Sequence, residues 1–210
     1  MKKMNVRLVS VILFYGAIWG IVEASVGYVL HFLPTLIAGT ILFPFVSVIL
    51  YKAYRQTESS ISILAIGVVA ALIKSVNFFL PVLNVWKVIN PMASILFESL
   101  VVMVLIKVAL NGKVPLKIGA VLLASVSWRA IFLAYMGIQM LLTGFTAPQI
   151  ASFASIMSFS VVSGLLSGAM AVGILAMASI RIKKTVKQFN LMPIVSLATL
   201  ALAIVLTLVL

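Results

Sequence analysis

Residues 8–33, LVSVILFYGAIWGIVEASVGYVLHFL, decide the fold, because this long apolar stretch contains one acid, Glu23, and no lysine or arginine. About 20 apolar residues of helix cross the hydrocarbon core of a bilayer. Working outward from this stretch, we predict spans at 8–33, 36–54, 61–80, 89–110, 118–142, 150–180 and 191–210. Lipid offers no water to backbone groups, so stretches this long and apolar should be helices. The sequence therefore predicts an all-α, polytopic transmembrane helical bundle that forms a single domain over residues 1–210.

Prolines mark the predicted connections between the spans. A proline lacks the N–H group of a helical residue and clashes with the preceding turn, so helices tend to stop beside it. We expect helix boundaries at Pro34, Pro81, Pro91, Pro115, Pro148 and Pro193.

The composition limits the classes of function. Hydrophobic residues make up 64% of the chain and charged residues 9%, against roughly 45–50% and 25% in soluble domains. The net charge is +12, but the basic residues punctuate the spans and form no single patch typical of a nucleic-acid binder. The chain has no cysteine and one histidine. We therefore expect no nucleic-acid partner, metal site or cofactor, and a lipid bilayer as the surroundings.

The lysines and arginines predict the orientation, because cytoplasmic loops of membrane proteins collect them. One set of span ends holds twelve of them and the opposite set holds only Lys87. We therefore expect the N-terminus in the cytoplasm and the C-terminus outside, provided that residues 191–210 span. The twelve are Lys2, Lys3, Arg7, Lys52, Arg55, Lys107, Lys113, Lys117, Arg181, Lys183, Lys184 and Lys187.

Four charged side chains remain inside the predicted spans: Glu23, Lys74, Glu98 and Arg129. Each costs roughly 2.5–3.5 kcal/mol at a helix centre, so together they need compensation by one another or by a ligand. Counting residues from the outer span ends places the first three roughly 10–12 Å below the outer surface and Arg129 deeper. This predicts a polar cavity in the outer half of the bundle, formed by the first, third, fourth and fifth spans.

Polar and aromatic side chains at helical spacing surround these charges, as in small-molecule sites. The predicted substrate-binding residues are therefore the four charges together with Trp19, Asn77, Phe78, Ser94, Phe132 and Gln139. An alternative is that Glu23 with Lys74, and Glu98 with Arg129, are structural ion pairs that hold helices together without a ligand.

Small residues recur at every fourth position of the first span, at Gly16, Gly20 and Ala24, and again at Gly164 and Gly168 in the sixth. In lipid, small residues let helix backbones approach closely. Two roles stay open: packing of helices within the chain, or docking of a partner membrane subunit.

The chain resembles substrate-binding S components of energy-coupling-factor (ECF) transporters over roughly its first 140 residues. The resemblance rests on these stretches: GAIWGIVEA at 16–24, His31, AALIK at 70–74, Asn90-Pro91 and Phe97-Glu98. It implies a six-helix core in the inner membrane of a prokaryotic cell, with an outward-facing pocket for a vitamin-like molecule, and residues 191–210 would be an added seventh helix. It also implies that Gly16, Gly20 and Ala24 dock a transmembrane coupling subunit energised by cytoplasmic ATPases.

The predicted function is a membrane-embedded solute-binding subunit of a transporter that captures a small polar or vitamin-like molecule from outside. No GxxxxGK[ST] run occurs, so the chain needs a partner or a gradient for energy. A stand-alone proton-coupled carrier and a non-catalytic membrane assembly subunit are alternatives. An enzyme is not expected, because the buried residues offer only two glutamates as acid and base.

Overall fold

The computed structural model describes residues 6–30, 35–81, 84–182 and 193–210. These residues confirm the all-α prediction, because they form helices and no strand. His31, Pro34 and five of the basic residues used for orientation (Lys2, Lys3, Lys183, Lys184 and Lys187) lie outside them, as does the side chain of Arg181. The helices are α1 Val6–Leu30, α2 Thr35–Thr57, α3 Ser60–Ser75, α4 Trp86–Asn111, α5 Val114–Thr143, α6 Phe153–Met157, α7 Ser163–Ile182 and α8 Pro193–Val209.

Five stretches of the described residues are long and apolar enough to cross a membrane: Val6–Val29, Ser60–Phe79, Trp86–Asn111, Val114–Thr143 and Phe153–Ala178. The chain is therefore a multi-pass helical membrane protein. Helix α8 is also apolar but shorter, with 17 residues. Spans at α2 and α8 stay predictions.

Six helices form a closed ring in the described part of the chain. Neighbours around the ring are α1, α3, α4, α5, α7 and α2, and α2 packs in turn on α1. Helix α8 packs outside the ring, against α1 and α3. The six-helix core with an additional C-terminal helix is therefore the observed architecture.

Glycines on α1 allow it to pack closely against α3. A Cβ atom at Gly16 would lie 2.6 Å from the Cβ of Val69, and one at Gly20 would lie 2.9 Å from the Cδ1 of Ile73. Ala24, one turn further, is also buried. Of the two roles left open by the sequence, the structure shows internal packing for Gly16 and Gly20. Docking of a partner subunit at Gly16, Gly20 and Ala24 stays a prediction.

The second pair of glycines has the same role between α5 and α7. A Cβ atom at Gly164 would lie 3.2 Å from the Cα of Val126, and one at Gly168 would lie 3.1 Å from the Cα of Leu122. Such short distances between backbones are the usual reason for small residues at helix contacts in lipid.

Two predicted boundaries differ from the structure. Pro91 lies inside α4, which begins at Trp86, where the side chain of Asn84 accepts a hydrogen bond from the Trp86 backbone N–H (3.0 Å). The helix therefore starts before the proline, which removes only one intrahelical bond beyond the first turn. The predicted span 150–180 begins at Phe153, and its residues 158–162 form a π-helix between α6 and α7.

Helix α8 runs in the same direction as α1. Near the start of both helices, the Ser196 hydroxyl donates to the backbone oxygen of Ser10 (2.8 Å). Further along, Ala203 packs in one cluster with Ala17 and Ile73. The first and last described residues therefore lie at opposite ends of the bundle, as predicted if residues 191–210 span.

The described basic residues cluster at one end of the bundle, which we call the basic end. It comprises the start of α1, the end of α2, the end of α4 and the start of α5, which carry Arg7, Lys52, Arg55, Lys107, Lys113 and Lys117. Lys87, at the start of α4, lies at the opposite end.

Candidate functional site

The four charged residues predicted inside the spans lie on four helices that are consecutive in the ring. Glu23 is on α1, Lys74 on α3, Glu98 on α4 and Arg129 on α5. We call these four residues the charged cluster. They interact as a series, because Glu23 interacts electrostatically with both Lys74 and Glu98, and Glu98 also interacts with Arg129. The structure therefore brings all four together.

The electrostatic interaction between the two acids crosses the interior of the ring. Helix α3 separates α1 from α4 around the ring, yet Glu23 and Glu98 still interact. The four groups therefore face a shared interior. Neither of the two ion pairs considered from the sequence is isolated from the other.

The positions of the charges along their helices differ. Because α4 begins at Trp86 rather than near Asn90, Glu98 is roughly 18 Å along the helix from its start. Glu23 is roughly 10 Å before the end of α1, and Arg129 is close to the middle of α5. Glu23 and Lys74 are half-buried and Glu98 and Arg129 are buried, and a common layer for the first three charges stays a prediction.

Arg129 is fully buried, with 0% of its surface exposed. Its Nη1 donates to the backbone oxygen of Ser125 (2.6 Å) and to the hydroxyl of the same residue (2.8 Å). Its Cζ lies 4.5 Å from the centre of the Trp128 ring, within the range of a cation–π interaction. Neighbouring residues of α5 therefore hold the guanidinium in place.

Glu98 has an unused hydrogen-bond acceptor. The residue is 5% exposed, and its Oε1 atom is buried with no hydrogen-bond partner. Buried polar atoms almost always have a partner, so an exception points to a missing ion, water or ligand. The environment of the carboxylate contains one like charge, Glu23, and one opposite charge, Arg129. A donor group of a ligand would satisfy this oxygen.

Trp19 supports the Glu23 side chain. Its indole N–H donates to Oε1 of Glu23 (3.2 Å), and the side chain is 0% exposed within the main hydrophobic core. Trp19 therefore positions the Glu23 carboxylate, and it offers no free surface to the apolar part of a ligand.

Three other predicted site residues lie on the chain after Lys74 or in α4. Asn77 and Phe78 follow Lys74 in a 3₁₀ turn of residues 76–79, where Phe78 is exposed and the Oδ1 of Asn77 has no hydrogen-bond partner. Ser94 donates to the backbone oxygen of Pro91 (2.9 Å).

Two further predicted site residues, Phe132 and Gln139, lie on α5 after Arg129. Gln139 is buried with an unpartnered Oε1, but it lies roughly 15 Å along α5 from Arg129 and so outside the charged cluster. Phe132 packs against Trp128, Tyr135 and Phe159, with ring centres 6.3, 5.7 and 6.1 Å away.

Sequence reasoning missed two residues beside the site. The Tyr135 hydroxyl donates to Oδ1 of Asn90 (3.0 Å) and so links α5 to α4. Its spacing from Phe132 could have placed it on the same face. Phe159 enters the aromatic group from the π-helix, and no regular periodicity could have predicted that position.

One cavity lies away from the charged cluster. A cavity of about 460 Å³ lies at the basic end between α2, α4, α5 and α7, and none of the four charged residues lines it. The predicted polar cavity in the outer half therefore stays a prediction. The described residues contain no group of three or more metal-binding side chains.

The fold and the charged cluster define a class: a multi-pass helical membrane protein with interacting charges inside a six-helix ring. Comparison with models of known protein families finds no match. Comparisons with curated proteins and with solved structures likewise find none.

Proposed function

We propose that the chain is a membrane-embedded solute-binding subunit of a transporter, similar to an ECF S component. The observation that carries the proposal is the unpartnered Oε1 of Glu98, buried between Glu23 and Arg129. A donor group of a bound molecule would give this oxygen the hydrogen bond that the cluster itself does not supply.

The charged cluster favours a small polar or zwitterionic molecule, such as a vitamin or its precursor. A cationic or N–H group of the molecule would donate to Glu98 and Glu23, and an anionic or acceptor group would face Lys74. Half-buried Lys74 and Asn77 lie nearest the end opposite the basic end, which is the side from which the ligand would enter.

The orientation and partners belong to the same proposal. The basic end would face the cytoplasm of a prokaryotic cell and the ligand would arrive from outside, because lysine and arginine collect on the cytoplasmic side. A transmembrane coupling subunit with cytoplasmic ATPases would supply energy. Gly16 and Gly20 pack against α3, and docking of such a subunit at these positions stays a prediction.

The test uses the intact protein purified from its own host in lipid nanodiscs. Small molecules released on denaturation are identified by mass spectrometry, in the wild type and in Glu98→Gln. We expect one compound near one molecule per chain, and a loss of affinity of roughly tenfold or more in the variant, as for a hydrogen bond to a charged group. Lys107→Gln, which changes an exposed residue outside the cluster, is the matched control. Equal retention by both variants would refute the proposal.

A second candidate is a stand-alone proton-coupled carrier, which the interaction of the Glu23 and Glu98 carboxylates favours. Two neighbouring carboxylates inside a membrane are typical of proton relays. Reconstitution of the purified chain alone in liposomes distinguishes the candidates, because only the carrier would accumulate the identified compound without partner subunits when a proton gradient is applied.

A further inference from the structure

The cavity of about 460 Å³ at the basic end has a mostly apolar lining with a polar side along one face of α2. That face carries Phe43, Ser47, Tyr51 and Arg55, which recur at every fourth residue and therefore stand one above another. The volume of the cavity falls within the range of roughly 300–1,000 Å³ found for sites of small molecules.

The cavity opens to the outer surface of the bundle. Two of its lining residues, Val114 and Ile118, are 68% and 40% exposed. Both are apolar and lie in the first turns of α5, which is long and apolar enough to cross a membrane. The opening therefore faces lipid near the end of a span, where acyl chains rather than water are the surrounding solvent.

The charges of the lining have one sign. Arg55, close to the end of α2, and Lys117, close to the start of α5, both line the cavity, and its lining residues include no acid. These ends of α2 and α5 are where a lipid headgroup would lie. Basic pockets between transmembrane helices on the cytoplasmic side are typical sites for anionic headgroups.

We propose that this cavity binds an anionic phospholipid of the leaflet at the basic end. One acyl chain occupies the apolar space between α4, α5 and α7, and the phosphate group contacts Arg55 and Lys117. A water-soluble anion would leave the apolar space unfilled, and a neutral lipid would make no use of the two cations. This site is separate from the charged cluster and does not depend on the proposed function.

The test measures lipid bound to the full chain by native mass spectrometry, after equilibration in mixed micelles with equal amounts of phosphatidylglycerol and phosphatidylcholine. We expect one tightly retained phosphatidylglycerol. Removing both cations in Arg55→Ala with Lys117→Ala should lower its affinity roughly 25-fold, or about fivefold for each basic residue. Lys52→Ala with Lys107→Ala removes the same charge from exposed residues that do not line the cavity and should retain the lipid.

A second variant tests the apolar part of the site. Ala109→Phe would fill the cavity from α4, whereas Val108→Phe changes the exposed neighbour outside its lining. We expect only the first to lose the bound lipid.

Three results would each overturn the proposal. One is equal retention of both lipids by the wild type. Another is equal loss of phosphatidylglycerol in the two double variants. A third is a dimer, without lipid, that Ala109→Phe abolishes, because a second copy of the chain would then be the occupant.

Discussion

Removing Arg129 should destabilise the protein far more than removing Glu98, although the two charges interact. In Arg129→Gln, Glu98 keeps a buried carboxylate whose remaining charged neighbour is the like-charged Glu23. An uncompensated buried charge costs about 3–5 kcal/mol. The variant also loses the hydrogen bonds to Ser125 and the contact with the Trp128 ring.

Replacing Glu98 instead leaves Arg129 with its other favourable contacts. In Glu98→Gln, Arg129 keeps both hydrogen bonds to Ser125 and the Trp128 ring, and the repulsion between Glu98 and Glu23 disappears. We expect a destabilisation of about 1 kcal/mol, the ordinary size of a single-substitution effect. The double variant should be more stable than Arg129→Gln alone by roughly 0.5–3 kcal/mol, the range for residues in contact.

The assay is reversible unfolding in mixed micelles with increasing sodium dodecyl sulfate, followed by far-ultraviolet circular dichroism. The free energy of unfolding is compared among the wild type, the two single variants and the double variant. Lys107→Gln, at an exposed position, is the control and should stay within about 0.5 kcal/mol of the wild type. Equal losses in the two single variants, or a larger loss in Glu98→Gln, would refute the reasoning.

Three further predictions address the packing and orientation of the helices. Gly16→Ala should lower the free energy of unfolding by about 1–3 kcal/mol, because its Cβ would clash with Val69. Gly137→Ala, which has open space around it, should instead stabilise the protein by up to about 1 kcal/mol. Similar values for both variants would contradict the close approach of α1 and α3. In this cysteine-free chain, the double variant Ser10→Cys with Ser196→Cys should form a disulfide under mild oxidation. The double variant Ser10→Cys with Thr207→Cys should not. The opposite result on a gel would mean that α8 does not run parallel to α1. A membrane-impermeant thiol reagent applied to whole cells should label Lys87→Cys and not Lys113→Cys, since the two lie at opposite ends of the bundle; the reverse pattern would invert the predicted orientation.

The residues of the charged cluster were predictable because charge inside an apolar span is rare and costly. Glu23, Lys74, Glu98 and Arg129 therefore stand out from composition alone. The spacing of Ser125, Arg129, Phe132, Met136 and Gln139 likewise predicts one face of α5, and all five are buried. The sequence suggested the interactions of Glu23 with Lys74 and of Glu98 with Arg129, but not that of Glu23 with Glu98, because the spans are almost uniformly apolar and give no periodic signal for which helix faces which.

Local exceptions to helix rules account for the other differences. Helix α4 begins at Trp86, whereas Pro91 favoured a boundary five residues later. The π-helix at residues 158–162 changes the faces of α6 and α7 and brings Phe159 against Trp128. A hydropathy pattern records neither the residue at which α4 begins nor the π-helix.

The sequence by itself determined that the chain is a helical membrane protein and which charges lie inside it, because lipid requires long apolar helices with every backbone group paired. Only the tertiary structure decided that α1, α3, α4, α5, α7 and α2 close into a ring, that Gly16 and Gly20 pack against α3, and that Glu98 interacts with both Glu23 and Arg129. The physical reason is that hydrophobicity drives each helix into lipid without distinguishing its neighbours. Close packing and polar contacts then select them.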